Sequence, residues 1–162
     1  MKTKHLLSAA ILTTTLLGSV APHAAVAKSE TMQPYYTYNG FTKWNHTFVL
    51  DQYFVKSLNN GSFKINGTQL TKRAVINNPS AIKHIKDTTI TYSGKYVTQI
   101  QFPVQANKIS KSAFMKAHKN NQLIDHNKTT VTYETKTGIY FGTFNKNGYL
   151  TSITIAKNTT VY

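Results

Sequence analysis

Three dipeptides constrain the fold of this chain more than any other feature: Asn66-Gly67, Ser93-Gly94 and Asn147-Gly148. Each lies between runs rich in β-branched and aromatic residues. Gly and Asn accept the positive φ that two-residue hairpin turns demand, and such turns hold their flanking strands antiparallel. The implied pairs are Ser62–Ile65 with Thr68–Thr71, Asp87–Tyr92 with Lys95–Phe102, and Ile139–Phe144 with Tyr149–Ala156. Thr129–Glu134 is a further strand, and Pro103 ends the Lys95–Phe102 arm. In that arm Tyr96, Thr98, Ile100 and Phe102 alternate with Lys95, Val97, Gln99 and Gln101, the period of a strand with two unlike faces.

Helices are fewer. Asp51 is an N-cap, Tyr53, Phe54, Ser57 and Leu58 recur at helical spacing, and Asn59-Asn60-Gly61 stops the turn. The second helix spans Ser110–Asn120. It places Ile109, Ala113, Phe114 and Ala117 on one side and Lys108, Lys111, Lys116 and Lys119 on the other, with Met115 out of place among the lysines. Phe48-Val49-Leu50 reads as a buried strand end and Ala81–Lys86 as a helical turn. The expected architecture is α+β: a single domain built on an antiparallel β-sheet of hairpins, with two or three short helices packed on one face.

The N-terminus has a different character. Lys2 and Lys4 precede an apolar run from Leu6 to Val20, and Ala25-Val26-Ala27 is a small-residue cleavage pattern. Residues 1–27 are expected to be a secretory signal peptide, 28–33 a polar flexible segment, and 34–162 the folded domain. The chain has no cysteine. An exported domain without disulfides must be held by packing alone, and thiol catalysis, Cys-ligated zinc and iron–sulfur chemistry are excluded.

Charge points to partners. The formal net charge is +14, and it is still +12 once Lys2 and Lys4 are removed. The acids are Glu30, Asp51, Asp87, Asp125 and Glu134. A balance this basic favours polyanions: extracellular DNA or RNA, anionic lipid, teichoic acid or acidic glycans. Catalytic chemistry finds little support. Asp125-His126-Asn127 is the one compact acid–imidazole cluster, and it sits in a Lys/Asn-rich turn where Asp and Asn favour turn stabilisation over metal binding. His46, His84 and His118 have no ligand spacing and are expected at the surface or half-buried. No catalytic residue, metal site or cofactor is expected.

Aromatic residues complete the pattern. Phe48, Phe54, Phe102, Phe114 and Phe141 fit inward positions. The stretch PYYTYNGF, residues 34–41, has aromatics on both faces of an extended strand, and Lys43 and Trp44 follow it. A core can claim only one of those faces. Either Tyr36 and Tyr38 pack inward with Tyr35 and Phe41 outside, or the reverse. The outward rings, beside Lys43 and Trp44, could stack on bases while lysines neutralise phosphates. Candidate nucleic-acid-binding residues are therefore Tyr35, Lys43, Trp44, Lys72, Arg73, Lys108, Lys111, Lys116 and Lys119.

PYYTYNGF followed by TFVLDQYFVKSLNNGSFKINGTQL resembles the mature N-terminal half of the immunodominant staphylococcal antigen B family, and the segment from Ile109 to Ile155 is similar in layout. The resemblance implies a secreted, surface-associated protein that binds extracellular nucleic acid without sequence preference and has no catalytic residues. It maps Tyr35, Tyr36, Tyr38, Asn39 and Gly40 onto the family motif without assigning them a role. Two other readings stay open: an adhesin or inhibitor that contacts a host or bacterial protein, and a metal-dependent nuclease at Asp125 and His126.

Overall fold

The Ser93-Gly94 and Asn147-Gly148 hairpins are part of a seven-stranded antiparallel sheet. A computed structural model describes residues 35–72 and 79–157. The expected signal peptide, the segment 28–33 and Arg73 lie outside the described residues. The sheet contains β3 (Ala81–Ile85), β4 (Thr88–Ser93), β5 (Tyr96–Pro103), β6 (Gln122–His126), β7 (Thr130–Thr135), β8 (Gly138–Phe144) and β9 (Leu150–Lys157), in the order β3-β4-β5-β9-β8-β7-β6. A second, two-stranded sheet pairs β1 (Tyr36–Tyr38) in parallel with β2 (Phe63–Ile65). The chain crosses from β1 to β2 through α1 (Gln52–Asn60), as parallel pairing requires. The other helix is α2 (Lys111–Ala117). This is the expected α+β class.

Local chemistry explains both helices. Asp51 Oδ1 accepts from the backbone N–H of Tyr53 at 2.7 Å and of Phe54 at 3.3 Å, so α1 begins where its cap places it. Gly61 ends it at φ +63°, where a Cβ would also come within 2.5 Å of Thr137. Ser110 caps α2 through the N–H of Ala113. That helix stops at Ala117 instead of running on to Asn120.

One face of the large sheet is buried. Cross-strand pairs Ile90–Ile100, Phe102–Ile153, Ile155–Tyr140 and Tyr133–Tyr140 build its core side. The helices add Phe54, Leu58 and Phe114. Phe114 packs so closely on β8 that a Cβ at Gly142 would lie 3.1 Å from its ring and 2.8 Å from Leu150. The other face carries mainly Thr, Ser and Gln, as on an antiparallel sheet that faces water on one side.

A polar relay crosses this core. Asn121 Nδ2 donates to the Tyr140 hydroxyl at 2.6 Å and to the Val55 carbonyl at 3.3 Å. Tyr140 donates to His118 Nδ1 at 2.8 Å, and His118 Nε2–H donates to the Val49 carbonyl at 3.0 Å. Since a carbonyl can only accept, Nε2 must carry the proton and the neutral ring accepts at Nδ1. Burial holds the His118 pKa down at about 4, against its ordinary 6.5, and pushes the Tyr140 phenol up.

Several sequence expectations are corrected here. His118 is fully buried, not at the surface or half-buried. Its position four residues after Phe114, on the apolar side of α2, was the available signal. Ala81–Lys86 is not a helical turn: Ala81–Ile85 is edge strand β3, and pairing with β4 outweighs the helix propensity of Ala and Lys. Its turn was hidden because Lys86, not a glycine, adopts φ +58°. Phe48-Val49-Leu50 is not a strand end but part of a 3₁₀ turn, Thr47–Leu50, with Phe48 and Val49 buried and Leu50 exposed. Asn66-Gly67 does make a tight turn, closed by an Ile65–Thr68 bridge, but its second arm does not continue as a strand. Phe141 points away from the core, because Tyr140, Gly142 and Phe144 take the inward positions of β8. Tyr53 is exposed on the outer side of α1, where Val55 is buried in its place. Met115, the exception on the helical wheel, packs partly against the core. In β5 the register shifts opposite Thr91–Tyr92, so Val97 turns towards the core and strict alternation fails there.

Two outcomes test this packing. Gly142→Ala should destabilise the protein by about 1–3 kcal/mol in thermal or denaturant melting, because β8 cannot move away from Phe114 without opening the core. His118 sets a pH dependence. Between pH 6.5 and about 4 the unfolded chain binds a proton that the folded chain refuses. Stability should therefore fall as pH drops through this window, by about 3 kcal/mol in total. Melting curves from pH 7 to 4 should lose this component in His118→Gln, which cannot titrate.

Candidate nucleic-acid interface

The antiparallel order sends turns alternately to the two ends of the sheet, and lysine occupies them. At one end lie the β3–β4 turn with Lys86, the segment after β5 with Lys108, the β8–β9 turn with Lys146, and the β6–β7 turn with Lys128. All four are exposed. Lys111, the first residue of α2, joins them.

Backbone and amide contacts bind three of these segments to one another: the β6–β7 turn, the β8–β9 turn and the stretch leading into α2. Lys111 N–H donates to the Gly148 carbonyl at 2.9 Å, and Phe144 N–H to the Thr129 carbonyl at 2.7 Å. Asn145 Nδ2 donates to Asn107 Oδ1 at 3.3 Å. Asn127 shapes the β6–β7 turn by accepting from the N–H groups of Thr129 at 2.9 Å and Thr130 at 3.0 Å. The ammonium of Lys111 donates to the Asn127 carbonyl.

The aromatic segment is attached at the β3 side of the same end. Tyr36 and Tyr38 pack inward: Tyr38 stacks on Phe48 with centroids 4.3 Å apart, and Tyr36 meets the edge of Phe54 at 5.8 Å. The loop beyond them is clamped twice. The Asn66 side chain brackets Gly40, accepting its N–H at 2.9 Å and donating to its carbonyl at 3.1 Å. Asp87 Oδ2 accepts from the Thr42 hydroxyl at 3.2 Å and from Lys43 N–H at 2.9 Å. Only Thr42 of the 3₁₀ turn Thr42–Trp44 enters the core. Phe41, Lys43 and Trp44 stay outside, and Trp44 is 71% exposed. The Lys43 ammonium lies 5.0 Å from the Trp44 ring centroid and 5.8 Å from that of Phe41, with Lys86 5.9 Å from Phe41 on the β3–β4 turn.

The sequence candidates are therefore divided. Lys43, Trp44, Lys108 and Lys111 share this end. Tyr35 is exposed but precedes β1, so the length of that strand separates it from Lys43 and Trp44. Lys72 lies at the opposite end, where its carbonyl accepts from the Lys157 ammonium. Lys116 and Lys119 are exposed on and just beyond α2. Lys86, Lys128 and Lys146, which are not among the sequence candidates, stand at the same end. Each follows or forms a turn, and only the full strand order shows that those turns point the same way.

Acidic chemistry is dispersed. Two carboxylates, Asp51 and Asp87, are committed to backbone N–H groups. Asp125 and His126 belong to the exposed edge strand β6, not to the turn assigned them from sequence; only Asn127 plays that turn-stabilising part. Among the described residues no group of three His, Asp or Glu side chains is placed to hold a metal ion. Among the same residues no helix is long and apolar enough to cross a membrane.

Comparison with known proteins gives one family. The model for immunodominant staphylococcal antigen B matches residues 35–155. The proteins of that name from Staphylococcus aureus strains USA300, NCTC 8325 / PS 47 and bovine RF122 / ET3-1 are each 30% identical over 132 residues, covering 78% of this chain and 69% of the relative. No solved structure matches.

The clamp has a measurable consequence. Asp87→Ala should cost about 1–3 kcal/mol in melting, because it leaves the buried Thr42 hydroxyl without that partner. It should also lower the fluorescence anisotropy of Trp44, the single tryptophan, as the turn loosens.

Proposed function

The chain belongs to the immunodominant staphylococcal antigen B family, and on that premise we propose that it is a secreted, non-enzymatic polyanion-binding protein whose ligand is extracellular nucleic acid. The observation that carries this reading is the convergence of Lys86, Lys108, Lys111, Lys128 and Lys146 at one end of the sheet, with Lys43 beside them. Exposure of the protein outside the cell agrees with the antigen name of its relatives and with the leader-like N-terminus.

The physics is that of counterion release. A seven-stranded sheet is about 30 Å wide at roughly 4.8 Å per strand spacing, so its lysine-bearing end matches about nine steps of duplex axis at 3.4 Å each. The side chains there are ammonium groups on flexible stems, suited to phosphates and unsuited to reading base edges. Sequence preference should accordingly be weak.

Gel shifts or anisotropy titrations over a salt series test the proposal. Binding to mixed-sequence duplex DNA should weaken with a log–log slope of about −4 to −5, as for five or so neutralised phosphates. Changing Lys128 and Lys146 together to Gln should make the slope shallower by about 2. The pair Lys95 and Lys136, in turns at the opposite end, should leave it unchanged when replaced in the same way. A flat salt response, or equal effects from both pairs, would overturn this assignment.

A further inference from the structure

The lysine end accounts for phosphate binding but not for Phe41 and Trp44. Large rings are ordinarily buried, and here 48% of Phe41 and 71% of Trp44 face solvent. The neighbouring sequence shows that burial was available: Tyr36 and Tyr38, a few residues earlier, reach the core, the first edge-on to Phe54 and the second stacked on Phe48. The turn that carries Phe41 and Trp44 is also held rigidly. Asn66 fixes Gly40 and Asp87 fixes Thr42 and Lys43, so the rings are presented outward by a pinned backbone. Rigid presentation of an apolar surface reduces the ordering cost of a bound partner.

The surroundings indicate the partner's chemistry. One ammonium, that of Lys43, lies within 6 Å of both ring centroids, and Lys86 stands at a similar distance from Phe41. A flat π-face joined to an anion is what this combination fits, and a nucleotide has both: a base to lie on the ring and a phosphate to meet the lysine. In a duplex the faces of the bases are covered by their neighbours, so the base must be unpaired.

From this geometry we infer that Phe41 and Trp44 form a stacking site for unpaired bases of single-stranded nucleic acid, with Lys43 and Lys86 holding the adjoining phosphates. The inference rests on the nucleic-acid reading above and adds a second mode to it. The lysine row takes backbone of any strandedness, and the aromatic turn takes bases only where they are free. Tyr35 and Tyr53, exposed elsewhere, have no part in it.

Trp44 is the only tryptophan, so its fluorescence reports on the site directly. Purified protein is titrated with a single-stranded thymidine oligonucleotide, with an abasic oligonucleotide of equal length and charge, and with a duplex. The thymidine strand should quench Trp44, and the other two should leave its emission nearly unchanged. Its affinity should exceed that of the abasic strand by about 5- to 150-fold. Phe41→Ala with Trp44→Ala should reduce thymidine binding to the abasic level while leaving abasic affinity unaltered. Trp44→Phe should retain most of the preference. Equal affinity for thymidine and abasic strands, without quenching, would overturn the stacking site and leave polyanion binding standing. Failure to bind any of the three would overturn both. If the double variant does not fold, the quenching and affinity comparison on the unaltered protein decides the matter.

Discussion

The relay Asn121–Tyr140–His118–Val49 is the interaction on which the rest of the structure depends. It joins α2 and the residues after it to β8 of the large sheet, to the 3₁₀ turn Thr47–Leu50 and, through the Val55 carbonyl, to α1. The imidazole is also a packing element. Its ring stacks on Phe114 at 4.1 Å and meets Phe54 at 6.3 Å, linking the aromatic cluster under α1 to the one under α2. A buried polar chain like this is favourable only when every donor and acceptor is matched, and each connection here has one compatible proton arrangement. That requirement sets how the helical layer sits on the sheet. It is a demanding way to specify a core in a protein with no disulfide to hold it.

With the layers set, charge can be distributed only where the fold leaves room. The buried face of the sheet excludes it. The open face has its inward-to-outward alternation filled by Thr, Ser and Gln around Phe141 and Ile139. Lys86, Lys95, Lys128, Lys136 and Lys146 therefore stand at turns between strands, and antiparallel connectivity places those turns at two opposite ends. Self-repulsion of a +14 chain is eased by this spreading, and Lys111 joins the Lys86, Lys128 and Lys146 turns because the segment before α2 also returns to that end. Part of the ammonium capacity is in use at both ends: Lys111 donates to the Asn127 carbonyl at this one, and Lys136 to Asn60 and Lys157 to the Lys72 carbonyl at the other. The aromatic turn is positioned by the same logic. Asn66 and Asp87, which pin it, are themselves turn residues, and their side chains remain near the surface within reach of a neighbouring loop.

Legibility from sequence followed the range of the forces involved. The Ser93-Gly94 and Asn147-Gly148 hairpins, the Asp51 cap and the Gly61 stop were readable, because turn conformation and capping act over a few residues. Phe48, Phe54, Phe102 and Phe114 were readable as core, and so was the divided character of PYYTYNGF, since alternation allows only one face to be buried. β3 and β6 were not. Both are short edge strands whose residues gain most of their structure from one neighbour, and the β3 turn uses Lys86 where a glycine would have marked it. The parallel pairing of β1 with β2 was equally hidden, because its partners are separated by a helix and nothing local distinguishes parallel from antiparallel contact.

Sequence by itself determined the α+β class, the basic character and the presence of more aromatic surface in the PYYTYNGF region than one core face could absorb. These follow from composition and from interactions between residues close along the chain. Tertiary structure decided which lysines stand together, that Phe41 and Trp44 rather than Tyr35 share an end with them, and that His118 is a buried relay and not a surface group. Strand order and the packing of distant elements set those facts, and both depend on contacts between residues tens of positions apart, which no local pattern encodes.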